Sequence, residues 1–355
     1  MTSNNSYNDK KRPVGVIGAG SFGTAVSMLL SKNRNVILYA RNPEVVEKIK
    51  TERQLNGFPL SSNIEPTNDL EYLARECNIL FPVVPSSGFR LMMHNLSPFL
   101  HPYHIVIHGT KGLEVSLGEG ESLNNPDTSI SRENIKTMSE VIIEESITLR
   151  VGCLAGPNLA REILQEHPAA TVVASHFEEV ISIGQNLLRS NKFQVYGNND
   201  LTGIELAGIL KNIIAIASGA LSGLGYGVNA RSLLISRGMV EMIYLGKELG
   251  GSAQAFIGLA GIGDLIATCT SPLSRNFTVG FRLAKGETLQ EIQNTMEETA
   301  EGINTVHIVK KLFENSPIRA PITEAVYKVL FENLKVAKAL ELLMRSPFNI
   351  DINFL

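Results

Sequence analysis

Between Val14 and about Gly197 the chain alternates short apolar runs with amphipathic stretches, and after that point the short runs stop. "VGVIG", "NVILYA", "NILFPVV" and "HIVIHGT" read as strands, with "SFGTAVSMLLSKN", "NPEVVEKIKTERQ" and "SGFRLMMHNLSPFL" as helices between them. "RVGCLAG", "AATVVAS" and "FQVYG" add later strands. Strand alternating with helix predicts a parallel sheet covered on both faces. Beyond it, "LTGIELAGILKNIIAIASGAL", "ARSLLISRGMVEMIYLGKEL" and "PITEAVYKVLFEN" carry only helical periodicity. The expectation is a doubly wound, mostly parallel α/β domain over 13–197 and an all-α domain over 198–355. Residues 114–135, polar and rich in Gly, Ser and Asn, read as a surface loop or hairpin inserted into the α/β half.

A chain of 355 residues has room for two cores. Its formal net charge of -3 gives no global attraction for nucleic acid or an acidic membrane surface, so an anionic ligand needs locally placed cations. Cys77, Cys153 and Cys269 form no CxxC pair, which points away from a disulfide framework or zinc cluster and toward a reducing compartment. The N-terminal "MTSNNSYNDKKRP" has no apolar signal core and reads as a tail. The longest apolar segments are interrupted by Gly, Lys and Ser, so no membrane span is expected and the cytoplasm is the expected location. His104 and His108 flank a strand without a nearby carboxylate, and no metal site is expected. Arg237 and Glu241 have the spacing of an ion pair on one helix face.

The first strand runs into Gly18, Gly20 and Gly23 and then into a helix. That is the context of a Rossmann turn: one glycine for the bend, one for close approach of a pyrophosphate, one for packing helix on strand. The phosphates would sit at the helix N-terminus, where free N–H groups and the dipole favour negative charge. The second strand ends "LYARNP", with Arg41 and no carboxylate to bond a ribose 2′-hydroxyl. Arg41 either stacks on adenine, meets a 2′-phosphate, or merely opens a loop.

In the helical half, Lys211 is the single cation of a long apolar stretch, with Asn212 after it and no acid within a turn. It is either a snorkelling lysine or a buried ammonium whose lowered pKa suits proton exchange with a carbonyl oxygen. Asp264, in "GLAGIGDLIATC", is costly to bury alone, so it either pairs with Lys211 or accepts a substrate hydroxyl. Ser274, Arg275 and Asn276 supply hydroxyl, guanidinium and amide in succession. They suit a phosphate monoester at a helix N-terminus, or ordinary capping. Lys111 in "HGTKGLE" and Gly156, Pro157 and Asn158 in "LAGPNLARE" follow strands, where ligands of parallel sheets gather.

In order, "GAGSFGTA", "TKGLE", "AGPNLARE", "LKNIIAIASG", "GLAGIGDL", "TCTSPLSRN" and "AEGINT" resemble the soluble, bacterial-type NAD(P)-dependent glycerol-3-phosphate dehydrogenases, from about Pro13 to Leu340. The resemblance implies a Rossmann-like domain with an all-α domain, a homodimer, NAD(H) or NADP(H) as cofactor, and interconversion of dihydroxyacetone phosphate and sn-glycerol 3-phosphate. It implies that Lys211 is catalytic, and that Lys111, Gly156, Asn158, Asp264, Ser274, Arg275 and Asn276 meet substrate. Gly18, Gly20, Ser21, Phe22, Gly23, Arg41, Lys111, Ala160, Arg275, Thr299 and Glu301 would meet cofactor. The sequence departs from the pattern in three places: Asn158 where Ser or Thr is usual, Thr299 where an apolar residue is usual, and "YAR" where "WGR" is commoner. The 114–135 insertion is also outside the common pattern.

Overall fold

The computed structural model describes residues 12–345 apart from 119, 124, 126, 127 and 315–317. The N-terminal stretch read as a tail therefore lies almost wholly outside the described residues. Two compact units emerge: the described residues up to Thr110 with Met138–Leu201, and Lys111–Thr137 with the described residues from Thr202 onward.

The first unit is built on eight strands: β1 (Val14–Ile17), β2 (Val36–Tyr39), β3 (Ile64–Thr67), β4 (Ile79–Pro82), β5 (Ile105–His108), β6 (Arg150–Ala155), β7 (Ala169–Ser175) and β8 (Phe193–Asn198). Their order across the sheet is β8-β7-β6-β5-β4-β1-β2-β3. All neighbours are parallel except β6 and β7, which pair antiparallel from Gly152 against Ser175 to Ala155 against Val172. The doubly wound, mostly parallel architecture expected from the alternation is the one found. Burial explains the strand compositions: β1, β4 and β5 are buried at every position, whereas the edge strands β3 and β8 alternate buried with exposed residues.

Alternation along the strands divides the apolar side chains between two cores. Val14, Val16, Leu38, Phe81, Ile105 and Ile107 pack on one face, and Ile17, Ile37, Leu80, Val106, Phe89 and Met93 on the other. Each such side chain stabilises the fold by roughly 1.5–3 kcal/mol. The chain steps outward from β1 to β2 to β3, then crosses back to β4 on the opposite side of β1. That reversal opens a crevice at the carboxyl end of β1, the place where open α/β sheets bind ligands.

The second unit is helical: α1 (Leu201–Gly223), α2 (Val228–Glu248), α3 (Ala253–Ile257), a π turn (Leu259–Gly263), α4 (Asp264–Thr270), α5 (Arg275–Ala284), α6 (Leu289–Thr295), α7 (Glu301–Leu312), α8 (Pro321–Phe331) and α9 (Val336–Met344). Helix α1 is long and apolar enough to cross a bilayer, but 94% of its most apolar window is buried inside the protein, as in a core helix. It packs backbone to backbone on α5. A Cβ on Gly219 would lie 1.9 Å from Phe277 O, and one on Gly280 would lie 1.8 Å from Ile216 O, so only glycine permits the approach.

Residues 111–137 belong with the helices, not with the α/β half where the sequence reading put them. Their base is a two-residue hairpin pairing Glu114 with Lys136 and Val115 with Ile135. Hydrogen bonds explain the attachment. Thr137 Oγ1 donates to Glu205 at 3.1 Å, Arg132 Nε donates to Leu249 O at 3.4 Å, and His307 Nε2 meets Leu123 O at 3.1 Å. Glu241 also has a partner that the sequence did not reveal. Buried, it accepts from the N–H groups of Ile322 and Thr323 at 2.8 Å each and from the Thr323 hydroxyl at 2.6 Å, capping α8 from outside. Burial pushes its pKa up to about 6.

Candidate active site

The glycine turn has the geometry of a phosphate cradle. Gly18 adopts φ +122, and its N–H bonds Tyr39 O at 3.1 Å. A Cβ on Gly23 would lie 1.8 Å from Gly18 O, so glycine there lets the helix start against the strand. Gly20 is the N-cap of the helix Ser21–Leu30, in extended backbone and with no side chain capping the first turn. The N-cap is thus a residue with no side chain to stand between the positive end of a ten-residue helix and a bound pyrophosphate. Phe22 packs against Gly109, where a Cβ would meet the ring at 2.7 Å. Arg41 is exposed just past the end of β2. These features fit a dinucleotide.

Three further predicted positions lie in this unit. Gly156, at φ +146, sits over Thr171, where a Cβ would come within 3.2 Å of the Thr171 Cα. Asn158 donates from Nδ2 to Thr171 Oγ1 at 2.8 Å, and its Oδ1 is buried with no partner. A buried acceptor without a donor is unfavourable unless a ligand supplies one. Ala160 opens the short helix Ala160–Leu164.

The helical unit gathers the charged candidates. Lys211, on α1, is 4% exposed and Asp264, at the start of α4, is 3% exposed. Lys211 Nζ lies 3.1 Å from Asp264 Oδ1, and Lys111 Nζ lies 2.7 Å from Asp264 Oδ2. One carboxylate thus bridges two ammonium groups from remote stretches of sequence. The pairing of Lys211 with Asp264 was one of two readings open in the sequence; the bridge to Lys111 had no signal there.

Sequence reasoning missed Thr268. Lys211 Nζ donates to Thr268 Oγ1 at 2.6 Å, and that hydroxyl lies 2.7 Å from Asp264 O and 3.1 Å from Asp264 Oδ1. Thr268 follows Asp264 by four residues, one turn on α4, so the spacing held a signal once the helix start was known. The π turn that precedes Asp264 is the local feature that the sequence concealed; such turns recur at functional sites. Ser218 Oγ, two turns beyond Lys211, donates to Cys269 O at 2.7 Å and ties α1 to α4. Burial pushes the Lys211 pKa down to about 8, with Lys111 adding to the fall and Asp264 opposing it.

The three consecutive polar residues have separate partners. Ser274 is the N-cap of α5 and accepts from Phe277 N at 3.2 Å. Asn276 Oδ1 accepts from Gly302 N at 2.9 Å, at the start of α7. Arg275, its side chain 48% exposed, pairs with Glu298 at 2.6 Å. Capping, the plainer alternative, is thus realised for Ser274. Thr299 is exposed and Glu301 begins α7. Among the described residues, no group of three His, Cys, Asp or Glu side chains is arranged to hold a metal ion. His104 instead bonds the backbone of Ala74 and His101, and His108 bonds Ser139.

Residues 13–181 match the family described as NAD-dependent glycerol-3-phosphate dehydrogenase N-terminus, and residues 200–341 match its C-terminus. The chain belongs to the NAD-dependent glycerol-3-phosphate dehydrogenase family. A glycerol-3-phosphate dehydrogenase (NAD(P)+) of Pseudomonas aeruginosa strain LESB58 is 38% identical over 351 residues, 98% of each chain. Among solved structures, glycerol-3-phosphate dehydrogenase of Coxiella burnetii matches with a TM-score of 0.82 at 31% identity, covering 95% of this chain and 99% of that one. The enzyme of Saccharomyces cerevisiae matches with a TM-score of 0.79 at 25% identity, covering 94% and 99%. The N-terminal match runs through residues 111–137, which pack with the helical unit, and the C-terminal match covers the helices from residue 200 to 341.

Proposed function

We propose that this member of the family interconverts dihydroxyacetone phosphate and sn-glycerol 3-phosphate with NAD(H) or NADP(H), in the cytoplasm and as a homodimer, supplying glycerophospholipid synthesis. The observation that carries the reading is the buried Lys211–Asp264–Lys111 bridge beside Thr268. A bound nicotinamide supplies or accepts the hydride. Gly18, Gly20, Gly23 and the first turn at Ser21 and Phe22 would hold the pyrophosphate of the dinucleotide, with Arg41 toward the adenosine end and Ala160, Thr299 and Glu301 as further contacts.

Lys211 gives its proton to the substrate carbonyl oxygen during reduction and takes it back during oxidation. A pKa near 8 lets it serve in both directions near neutrality. Asp264 and Thr268 fix the direction of its ammonium group. Lys111 polarises the same oxygen, so the two ammonium groups and single carboxylate leave the pocket one positive charge to meet a developing alkoxide. Ser274, Arg275 and Asn276 hold the phosphate, which requires Arg275 to exchange Glu298 for the ester. Gly156 gives the substrate room, and Asn158 Oδ1 gains the donor it lacks from a substrate hydroxyl.

The test is oxidation of NADPH, and separately NADH, on adding dihydroxyacetone phosphate to the purified protein. Turnover should need the phosphate ester, with unphosphorylated dihydroxyacetone inert. Lys211→Met should abolish turnover while NADPH still binds. Absence of turnover in the unaltered protein, with NADPH bound, would overturn the reading.

A further inference from the structure

In the sheet unit a short hairpin meets the glycine turn. Gln54 and Leu55 pair antiparallel with Pro59 and Phe58, and Asn56 and Gly57 close the loop. Asn56 has φ +51 and Gly57 φ +80. Two left-handed residues in succession make the tight turn that Asn-Gly favours, since glycine has no Cβ to clash and asparagine tolerates that region. The hairpin is anchored at its base. Leu60 N donates to Arg53 O at 2.8 Å, and the Arg53 guanidinium donates to the carbonyl groups of Ile64 and Ser61. Leu55 packs against the core that contains Leu38 and Ile64.

The tip of the hairpin is bonded to the turn. Asn56 Nδ2 donates to Thr24 Oγ1 at 2.8 Å and to Ala19 O at 3.3 Å. Thr24, fully buried, passes the bond on. Its hydroxyl donates to Gly20 O at 3.0 Å, and that carbonyl also accepts from Thr24 N at 2.9 Å. One carboxamide, 37 residues beyond Ala19, is therefore tied to two successive carbonyl groups of the turn, one directly and one through Thr24.

We propose that Asn56 is a positioning residue for the dinucleotide: it sets the glycine turn so that the N–H groups of Gly20 and Ser21 face the pyrophosphate. The proposal rests on the reading of that turn as the cofactor site. Peptide groups are planar, and among the described residues none is cis, so each N–H points opposite to the C=O of its own peptide group. Holding Ala19 O toward the hairpin and Gly20 O toward Thr24 turns the N–H groups of Gly20 and Ser21 the other way. They stand at the start of the helix Ser21–Leu30, where negative charge is favoured. Gly20 has no side chain to restrict its own backbone, and glycine loses more conformational freedom on ordering than any other residue. A tether from outside the turn orders it before the ligand arrives, which removes that cost from binding. By donating to Thr24 Oγ1, Asn56 also leaves the hydroxyl hydrogen directed at Gly20 O.

The test is NADPH titration of the full chain and its variants, followed by nucleotide fluorescence. Asn56→Gly keeps a residue at ease with positive φ and removes only the carboxamide, so Kd should rise by about fivefold or more. Asn56→Asp also suits the turn but sets an acceptor against Ala19 O and a negative charge beside the phosphates, so Kd should rise by about tenfold or more. Thr24→Val should weaken binding, Thr24→Ser should restore it, and Thr24→Val added to Asn56→Gly should cost less than the product of the two single effects. A role confined to stability would lower the unfolding midpoint and leave Kd unmoved. Positioning predicts the reverse, with kcat at saturating NADPH falling by less than about twofold. A Kd within about twofold of the unaltered chain's in both Asn56 variants would overturn the proposal while leaving the cofactor site in place. Failure of the unaltered chain to bind NADPH would overturn the reading of the turn and this proposal together. Should Asn56→Gly fold poorly, Asn56→Asp still decides.

Discussion

Replacing Thr268 by valine removes one hydroxyl and little volume, and it isolates what that hydroxyl does for Lys211. The lysine donates to Thr268 Oγ1 at 2.6 Å from a site that is 4% exposed. A hydrogen bond to a charged group contributes about 1.5–3 kcal/mol, and it favours the ammonium form. Losing it lowers the lysine's pKa by roughly one to two units, at 1.36 kcal/mol per unit. From about 8 in the unaltered protein, the pKa should fall to about 6 or 7. Carbonyl reduction needs the protonated lysine, so the activity lost on raising pH should be lost earlier in the variant. At pH 7.5 the protonated fraction drops by about 3- to 25-fold, whereas below about pH 5.5 the two proteins should differ by less than about twofold. The assay is kcat/KM for dihydroxyacetone phosphate from NADPH absorbance across that range, with NADPH affinity measured alongside. A variant profile that superimposes on the unaltered one would refute the assignment of Thr268 as the positioning partner of the acid.

Three other outcomes are expected. Gly23→Ala places a methyl group 1.8 Å from Gly18 O, and titration should show NADPH affinity reduced by at least about tenfold, since overpacking costs about 1–3 kcal/mol. Arg275→Gln should raise KM for the phosphate ester by about tenfold or more, the loss of a charge-assisted bond; an unchanged KM would move the phosphate site elsewhere. Glu241 has a folded pKa of about 6, above the ordinary value of 4.5. Its contribution to stability is therefore present below about pH 4.5 and lost as pH rises through about 6. Between those limits the unaltered protein should lose about 2 kcal/mol relative to Glu241→Gln in denaturant titrations.

How much of this was legible in the sequence depended on whether the cause was local. Strand and helix identities followed from runs such as Ile105–His108, buried at every position, and from the turn chemistry of Asn42 and Pro43, where Asn42 caps the next helix. Gly18, Gly20 and Gly23 announced the turn because backbone conformation and close approach are set within ten residues. The pairing of Lys111 with Asp264 spans 153 residues and has no periodic signature. The attachment of 111–137 to the helices was hidden for the same reason: it depends on Glu205, Leu249 and His307, each far along the chain. Polar composition marked residues 114–135 as a surface loop or hairpin, but composition carries no address. Arg275 was legible as a cation beside a helix start, whereas its partner Glu298 was not, since an exposed acid has many equivalent positions.

The attachment of residues 111–137 to the helices has a practical corollary for anyone dividing this protein into parts. The backbone passes between the two units at three junctions, after Thr110, Thr137 and Leu201. A fragment cut at the obvious change of sequence character, near residue 198, would carry Lys211 and Asp264 but leave behind Lys111 and the hairpin. It would expose a carboxylate that has lost one of its two cationic neighbours, along with Glu205 stripped of Thr137. A self-contained helical piece would need 111–137 spliced back through a designed connection. Modularity by sequence and modularity by packing are therefore different partitions of this chain, and only the second keeps the charged cluster whole.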